Sequence, residues 1–274
     1  MHQSVIDRFV EFSSPLEGVV PSLYVDVNGD KVPPRPCVTT AIGCLVDPVA
    51  SALALPWVMP DGSPASRAEI DRQWRIVKAD AARLSKLHWK FAASLTTIRL
   101  TDQGVLDLVR KRLIDNEKVL RQFFPQWDRF PADAQLACCS MAWALGAGFP
   151  VEFGNFRAAA NAQNWTSAIA SCGIRTEGNP GIVPRNAQNR LCLANAQAVV
   201  SSGLPVETLF WPGTVPSASQ RDQALRVEAE QAAADHAAHN AARWDAATMA
   251  LAAGLDLAGE REWEAYQGDG KAVS

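Results

Sequence analysis

One apolar segment limits the folds open to this chain more than any other part of the sequence. Residues 131–145 are almost entirely apolar or small, and Asp133 is their only charged residue. Pro131 and Asp133 are typical of a helix start, and Gly146 is typical of a helix end. A helix that is apolar on every side has to be buried on every side. The segment therefore predicts a central core helix with other elements packed around it.

Helical periodicity predicts the elements that surround this core helix. Residues 4–13 show a short amphipathic pattern, which we expect to end near Ser14-Pro15 because a residue before proline disfavours the helical conformation. Ser66 and Glu69 form a capping box at the start of an apolar stripe that continues to Phe91. Further helices are expected from Thr101-Asp102 onward, at 154–171, at 184–201 and, in an alanine-rich segment, at 218–253.

The β-rich part of the sequence is short. Residues 23–25 and 38–42 are rich in β-branched and aromatic side chains, which predicts two strands. Asn28-Gly29 lies between them and predicts a hairpin turn. The proline-rich stretch at 32–36 is a stiff insertion that cannot donate ladder hydrogen bonds at its prolines. Residues 46–65, rich in Pro, Gly and Ser, are predicted to be loop.

Composition excludes several classes of protein. The 274 residues carry a net charge of −3, which argues against a nucleic-acid binder, since such proteins usually carry a basic patch. Six cysteines form no Cys-x-x-Cys pair, so we expect buried reduced thiols rather than a zinc ribbon. The first residues show no signal-peptide pattern, and no apolar run approaches the roughly 20 residues that span a bilayer. We therefore expect synthesis in the cytoplasm and no membrane insertion.

Two carboxylates and a threonine stand out near the N-terminus. Glu17 follows the first helical pattern, Asp26 lies nine residues later, and Thr39 lies on the second expected strand. Glycoside hydrolysis needs an acid for the leaving oxygen and a second carboxylate that stabilises charge or activates water. Apolar neighbours of Glu17 favour a protonated acid, whereas the turn-rich surroundings of Asp26 favour an ionised carboxylate. A Glu and an Asp at this spacing are nevertheless common by chance.

The string around these residues is more specific than the pair. It contains, in order, Glu17-Gly18, Leu23-Tyr24, Asp26, Gly29 and Thr39-Thr40-Ala41-Ile42-Gly43. This order resembles the active-site hairpin of the phage T4-type lysozyme (muramidase) family. The resemblance is specific over residues 9–44, diffuse from 66 to about 200, and absent beyond. It implies a lysozyme-like two-lobed α+β fold, mainly α, at 1–203, followed by a helical extension at 204–274.

The same resemblance implies an activity and a set of site residues. The activity is hydrolysis of the β-1,4 bond between N-acetylmuramic acid and N-acetylglucosamine in peptidoglycan, without a cofactor or metal. The resemblance also implies inversion, although the separation of the two carboxylates decides between inversion and retention. Glu17 would be the general acid, and Asp26 would stabilise positive charge at the anomeric carbon or activate water. Thr39 would position that water, with Thr40 as the alternative. The implied substrate-binding residues are Tyr24, Trp143 and Arg185.

Two positions depart from the family pattern. Cys44 stands where the family usually has a histidine after Ile-Gly, and Asn186 follows Arg185 where the family often has a second arginine. One arginine of that pair lies near the catalytic glutamate in the family. The guanidinium partner of Glu17 therefore stays open, and Arg185 could equally be a surface residue at a helix start.

Two biological settings fit a bacteriolytic enzyme without a signal peptide. One is a phage endolysin, and the other is an antibacterial toxin effector that a secretion apparatus delivers and an immunity protein restrains. Either would act on the periplasmic cell wall of a host or target bacterium. The extension at 204–274 favours the second setting slightly. The alternative function is a non-catalytic peptidoglycan-binding or structural component of a phage or secretion system with a lysozyme-like fold.

Overall fold

The computed structural model describes residues 1–28, 35–177 and 179–252, without the side chains of Asn28, Leu225 and residues 240–252. This part of the chain is mainly helical and contains small antiparallel sheets, in agreement with the predicted class. The chain divides into two compact units, Met1–Val215 and a second that begins at Pro216. Within the described residues, no helix is long and apolar enough to cross a membrane.

The helices of the first unit are α1 (Gln3–Glu17), α2 (Val49–Leu53), α3 (Arg67–Ala79), α4 (Ala81–Leu84), α5 (Lys90–Ala93), α6 (Asp102–Phe123), α7 (Ala132–Leu145), α8 (Gly154–Asn161), α9 (Trp165–Ser171) and α10 (Ile182–Ser201). The strands are β1 (Val20–Asn28), β2 (Arg35–Ala41), β3 (Cys44–Leu45), β4 (Trp57–Val58) and β5 (Arg99–Leu100). The second unit contains α11 (Ala218–Ala252), where the alanine-rich segment predicted a helix.

The predicted core helix is confirmed as α7. Its residues from Ala132 to Trp143 are all buried, as its uniformly apolar sequence requires. It packs against α10, α1 and α6. The helix ends at Gly146, whose φ of 85° lies in the region that favours glycine.

The first helix is longer than the sequence predicted. It was expected to end near Ser14-Pro15, but α1 continues to Glu17 with Pro15 inside it. Pro15 cannot donate a backbone hydrogen bond, but the carbonyl of Ser14 still accepts one from the N–H of Gly18 at 2.9 Å. The last turn therefore stays helical, and it fixes the position of Glu17 relative to the core.

The predicted hairpin is present as β1 and β2, which pair antiparallel, and β3 adds to the far edge of β2. In this register Tyr24 lies opposite Thr39, and Asp26 lies opposite Cys37. Successive side chains of a strand point to opposite faces, so Thr39 and its neighbour Thr40 face different environments. The predicted turn at Gly29 and most of the proline-rich insertion lie outside the described residues.

The long helix expected from Ser66 to Phe91 is wrong, although its start is confirmed. The Ser66 hydroxyl accepts a hydrogen bond from the N–H of Glu69 at 3.2 Å. The chain leaves helical geometry at Asp80 (φ −107°, ψ 13°), and two short helices, α4 and α5, follow α3. Aspartate favours helix ends because its side chain competes for local hydrogen bonds. Phe91 is 57% exposed, so the apolar stripe is not one packed face.

Two other segments differ from their predictions. Residues 46–65 contain α2 and β4, because Trp57 is buried and donates its indole N–H to the carbonyl of Ala52 at 2.8 Å. The helix predicted at 154–171 is divided into α8 and α9. Gln163 adopts a positive φ of 52° between them, and Asn164 caps α9 by accepting from the N–H of Ser167.

The first unit extends beyond the predicted boundary at residue 203, and Asp133 accounts for this. Asp133 lies in the first turn of α7 and is fully buried. Its carboxylate accepts hydrogen bonds from the N–H groups of Phe210 (2.8 Å) and Trp211 (3.0 Å) and from the amide of Asn195 (2.9 Å). The segment after α10 is thereby attached to the core helix.

Candidate active site

The two predicted carboxylates line the same cleft. The cleft lies between the β1–β2–β3 hairpin and the ends of α1 and α7, and it encloses about 280 Å³. Its walls are formed by Glu17, Asp26, Val27, Cys37, Thr39, Gly43, Leu45, Arg112, Trp143, Ala144, Leu145 and Gly146. Of the predicted site residues, Glu17, Asp26, Thr39 and Trp143 therefore reach the cleft surface, whereas Tyr24 and Arg185 do not.

Glu17 is the last residue of α1, and its side chain is 26% exposed. A Cβ atom at Gly43 would lie 3.7 Å from Oε2 of Glu17, and Gly43 also has a φ of 79°. The distance is an ordinary contact, so it is the positive φ that favours glycine beside this carboxyl. Burial is the largest influence on the pKa of Glu17 and raises it. The nearby cations Arg185 and Arg112 lower the pKa, and Asp26 raises it slightly, so the net pKa lies above its ordinary value. The carboxyl therefore holds its proton at higher pH than an exposed glutamate does.

Arg185 is the guanidinium partner that the sequence left open. Its side chain is 3% exposed and forms an ion pair with Glu17, so it is neither a surface residue nor part of the cleft wall. Its other terminal nitrogen donates to the backbone carbonyl (3.1 Å) and the hydroxyl (3.2 Å) of Ser140. Arg185 thus contacts Glu17 and does not line the cleft, where the predicted substrate-binding residues were expected. Asn186 bonds both backbone polar groups of Ile174 instead.

Arg112 is a site residue that sequence reasoning missed. It extends from α6, donates to the carbonyl of Gly43, and places its guanidinium carbon 4.3 Å from the ring centroid of Trp143. One signal could have revealed it. Arg112 falls between Val109 and Leu113 on the apolar stripe of α6, where a charged residue needs a specific partner.

Trp143 connects the core helix to the hairpin. Its indole N–H donates to the carbonyl of Ile42 at 2.8 Å, and its ring centroid lies 4.9 Å from that of Phe9. With Arg112 and Phe9 both packed against the indole, only 5% of the residue is exposed. The ring therefore contributes an edge to the cleft rather than an open stacking surface.

Asp26 and Thr39 reach the cleft from the hairpin. Asp26 is exposed and accepts a hydrogen bond from the N–H of Val27 at 2.7 Å. Thr39 donates its hydroxyl to the carbonyl of Cys37 at 3.2 Å, which leaves its oxygen able to accept a bond from a water in the cleft. Thr40 instead lies on the buried side and bonds the carbonyl of Val20. Because side chains alternate along the strand, Thr39 faces the cleft and Thr40 faces the interior.

Tyr24 and Cys44 lie beneath the cleft. Tyr24 is 9% exposed and belongs to the hydrophobic core, so it differs from its predicted role on the binding surface. Burial, followed by the nearby Asp26, raises the pKa of its hydroxyl, which stays protonated. Cys44 is buried and burial raises the pKa of its thiol, although Arg112 lowers it. Both residues therefore pack beside the site as neutral groups.

The arrangement limits the chemistry that the cleft can support. Among the described residues, no group of three or more His, Cys, Asp and Glu side chains is placed to hold a metal ion. The cleft instead brings together a partly buried acid, an exposed carboxylate and a hydroxyl. These groups can transfer a proton and orient a water molecule.

No protein-family model matches the chain, and none of the curated proteins matches it.

The charges around Glu17 lead to a prediction that does not depend on activity. We expect the Glu17 carboxyl to titrate above its ordinary value of 4.5 and Arg112→Gln to raise the midpoint further, because a cation that favours the ionised form is lost. Carbon-13 NMR of labelled glutamate carboxyls measures both midpoints, and the resonance missing in Glu17→Gln gives the assignment. Arg110→Gln, an exposed neighbour on α6, is the control. A midpoint unchanged or lowered in Arg112→Gln would rule out this electrostatic role.

Proposed function

We propose that this protein is a muramidase with a lysozyme-like fold, which hydrolyses the β-1,4 bond between N-acetylmuramic acid and N-acetylglucosamine in peptidoglycan. The observation that carries the proposal is the pairing of Glu17 and Asp26 across one cleft. Burial raises the pKa of Glu17, while Asp26 is exposed to water. Two carboxylates in different environments suit the two roles that glycoside hydrolysis requires.

In the proposed reaction, Glu17 transfers its proton to the glycosidic oxygen as the bond from that oxygen to the anomeric carbon breaks. The leaving sugar departs as a neutral alcohol. A water molecule bonded to Thr39 attacks the anomeric carbon and loses its proton to Asp26. Solvent then returns a proton to Glu17 and removes one from Asp26. The products are a reducing N-acetylmuramic acid end and a free hydroxyl on N-acetylglucosamine.

Arg185 and Arg112 act on the acid and not on the sugar. After proton transfer, Glu17 carries a negative charge in a partly buried position, and its ion pair with Arg185 stabilises that charge. Arg112 adds a second cation, held in place by Gly43 and Trp143. The proposed acid is therefore balanced between burial, which keeps the proton, and two arginines, which ease its loss.

Product analysis of purified peptidoglycan tests the proposal. We expect soluble muropeptides that end in reducing N-acetylmuramic acid, identified by mass spectrometry after borohydride reduction. Proton NMR during the reaction identifies which anomer is first released at the new reducing end. It therefore distinguishes inversion, which we expect, from retention. Fragments that end in reducing N-acetylglucosamine would indicate a glucosaminidase. Retention on peptidoglycan without any new reducing end would favour a non-catalytic binding module.

The two adjacent threonines allow a matched comparison. We expect Thr39→Ala to lower the cleavage rate by about 10- to 100-fold, because the attacking water loses an orienting group. Thr39→Ser keeps the hydroxyl and should recover most of the rate. Thr40→Ala should lower the free energy of unfolding by about 1 kcal/mol through loss of its bond to Val20, with little effect on the rate. Equal rate losses in both alanine variants would remove Thr39 from the proposed mechanism.

A further inference from the structure

A short surface segment exposes large apolar side chains next to lysines. Between Lys86 and Phe91 every residue is exposed, in the order Lys-Leu-His-Trp-Lys-Phe. We call the following set the Trp89 patch: Lys86, Leu87, Trp89, Lys90, Phe91 and Leu95. The exposed fractions of its apolar members are 37% for Leu87, 37% for Trp89, 57% for Phe91 and 41% for Leu95. Large apolar side chains grouped in this way mark interaction surfaces.

The exposure does not arise from a lack of core contacts in this segment. Leu84 is 2% exposed, Ala92 is 2% exposed and Ile98 is fully buried, and α5 packs against β1. These residues attach the segment to the hairpin sheet from the inside. The buried side chains thus form the attachment, and those of the Trp89 patch are directed to solvent.

The segment that carries the Trp89 patch has basic side chains only. Residues 81–95 contain Arg83, Lys86 and Lys90 and no acidic residue, in a chain whose net charge is −3. Arg83 pairs with Asp80 outside this stretch. Within the described residues, Lys86 and Lys90 form no ion pair with a carboxylate, and the Lys90 ammonium lies 5.7 Å from the ring centroid of Trp89. Two unpaired cations therefore flank the exposed aromatic rings.

We propose that the Trp89 patch docks on the surface of an anionic lipid bilayer. Tryptophan places its apolar ring and its N–H well at the boundary between lipid tails and head groups, and lysine stems cover apolar surface while their ammonium groups reach outward. Anionic lipids attract lysines close to the membrane surface. In this arrangement the apolar side chains of the patch enter the interface, and its two ammonium groups contact lipid phosphates. Such contact is peripheral and requires no spanning helix.

The charges also argue against a second copy of the chain as the occupant. A two-fold dimer joins the same patch from both copies. Lys86 and Lys90 would then face their own equivalents without an intervening carboxylate, which is unfavourable. A bilayer that contains acidic lipids supplies the opposite charge and accepts the rings at the same time.

Vesicle sedimentation of the full chain tests the proposal. Sucrose-loaded vesicles of equal parts phosphatidylglycerol and phosphatidylcholine are compared with vesicles of phosphatidylcholine alone. We expect binding to the first to exceed binding to the second at least tenfold and to weaken as salt is added. Trp89→Ser/Phe91→Ser removes the rings, and Lys86→Glu/Lys90→Glu reverses the charge. Each double variant should lower the partition coefficient on the anionic vesicles at least tenfold.

A charge-matched control separates the patch from general electrostatics. Arg110→Glu/Arg129→Glu makes the same change in net charge at exposed positions outside the patch and should lower binding less than threefold. Absence of binding to anionic vesicles would overturn the proposal, as would equal losses in the control. Sedimentation equilibrium without lipid tests whether a second copy of the chain binds to the patch instead. A dimer that becomes a monomer in Trp89→Ser/Phe91→Ser would assign the patch to a second copy.

Discussion

Glu17→Gln should lower the rate of glycan cleavage by about 10²- to 10⁴-fold, the range expected for loss of a general acid. The amide has nearly the shape of the carboxyl and still offers an oxygen to Arg185, but it has no proton to give to the leaving oxygen. Release of reducing ends from purified peptidoglycan measures the rate. The variant should still bind peptidoglycan, because the cleft walls are unchanged.

The same substitution should change the stability of the protein only slightly, because two charge effects oppose each other. The pKa of Glu17 is raised in the folded state, so between its ordinary value of 4.5 and the raised value the folded chain binds more protons than the unfolded chain. Stability therefore falls as pH rises through that window, and at neutral pH the ionised carboxyl is a net cost. Glutamine removes this cost, but it also leaves the buried Arg185 guanidinium without its counter-ion, which acts in the opposite direction. We expect the two effects to offset each other, so that the Tm at pH 7, measured by circular dichroism, stays within about 5 °C of the wild type.

Glu11→Gln provides the matched control. Glu11 lies on the same helix, is exposed, and pairs with Arg8. We expect its rate to stay within twofold of the wild type. If Glu17→Gln kept more than about a tenth of the wild-type rate, Glu17 would not be the acid. A large loss of rate together with a Tm lowered by more than about 10 °C would point instead to structural damage.

Asp133→Ala should destabilise the first unit by about 3–5 kcal/mol, because it leaves buried hydrogen-bond donors without an acceptor. The donors are the N–H groups of Phe210 and Trp211 and the amide of Asn195. For a domain of this size, that loss corresponds to a decrease in Tm of about 10 °C. Chemical denaturation and thermal melting measure both quantities. Hydrogen exchange should show the segment around Trp211 among the first to lose protection, since it loses its attachment to α7.

Asp128→Ala is the control for this prediction. The Asp128 carboxylate is 73% exposed and pairs with Arg121, so its loss should cost less than about 1 kcal/mol. Asp133→Asn should lie between the two, because one oxygen can still accept from Trp211 and Asn195. If Asp133→Ala cost no more than Asp128→Ala, the buried carboxylate would not be what joins residues 204–215 to the core.

Several elements could be predicted from the sequence because their causes are local. The core helix α7 follows from its uniformly apolar composition, and the caps at Ser66 and Thr101 follow from a side chain beside its own helix start. The β1–β2 pair follows from β-branched residues on both sides of a turn signal. Glu17 and Asp26 could be proposed as a site because the order of residues around them resembles a known active-site hairpin.

Other features were decided by contacts between residues distant in sequence. Pro15 predicts a helix end, yet α1, which packs against α7, continues to Glu17. Arg185 lies 168 residues from Glu17, and no local pattern shows that they meet. Arg112 likewise reaches Gly43 across 69 residues of sequence.

The sequence by itself determined the main helices, the hairpin and the residues that could carry acid chemistry, since propensity, capping and periodicity act within a few positions. Only the tertiary structure decided which side of the strand faces the cleft, which arginines surround Glu17, and how burial and charge balance at its carboxyl. Those properties depend on water being excluded by several elements at once. They arise when the hairpin, α1, α6, α7 and α10 come together.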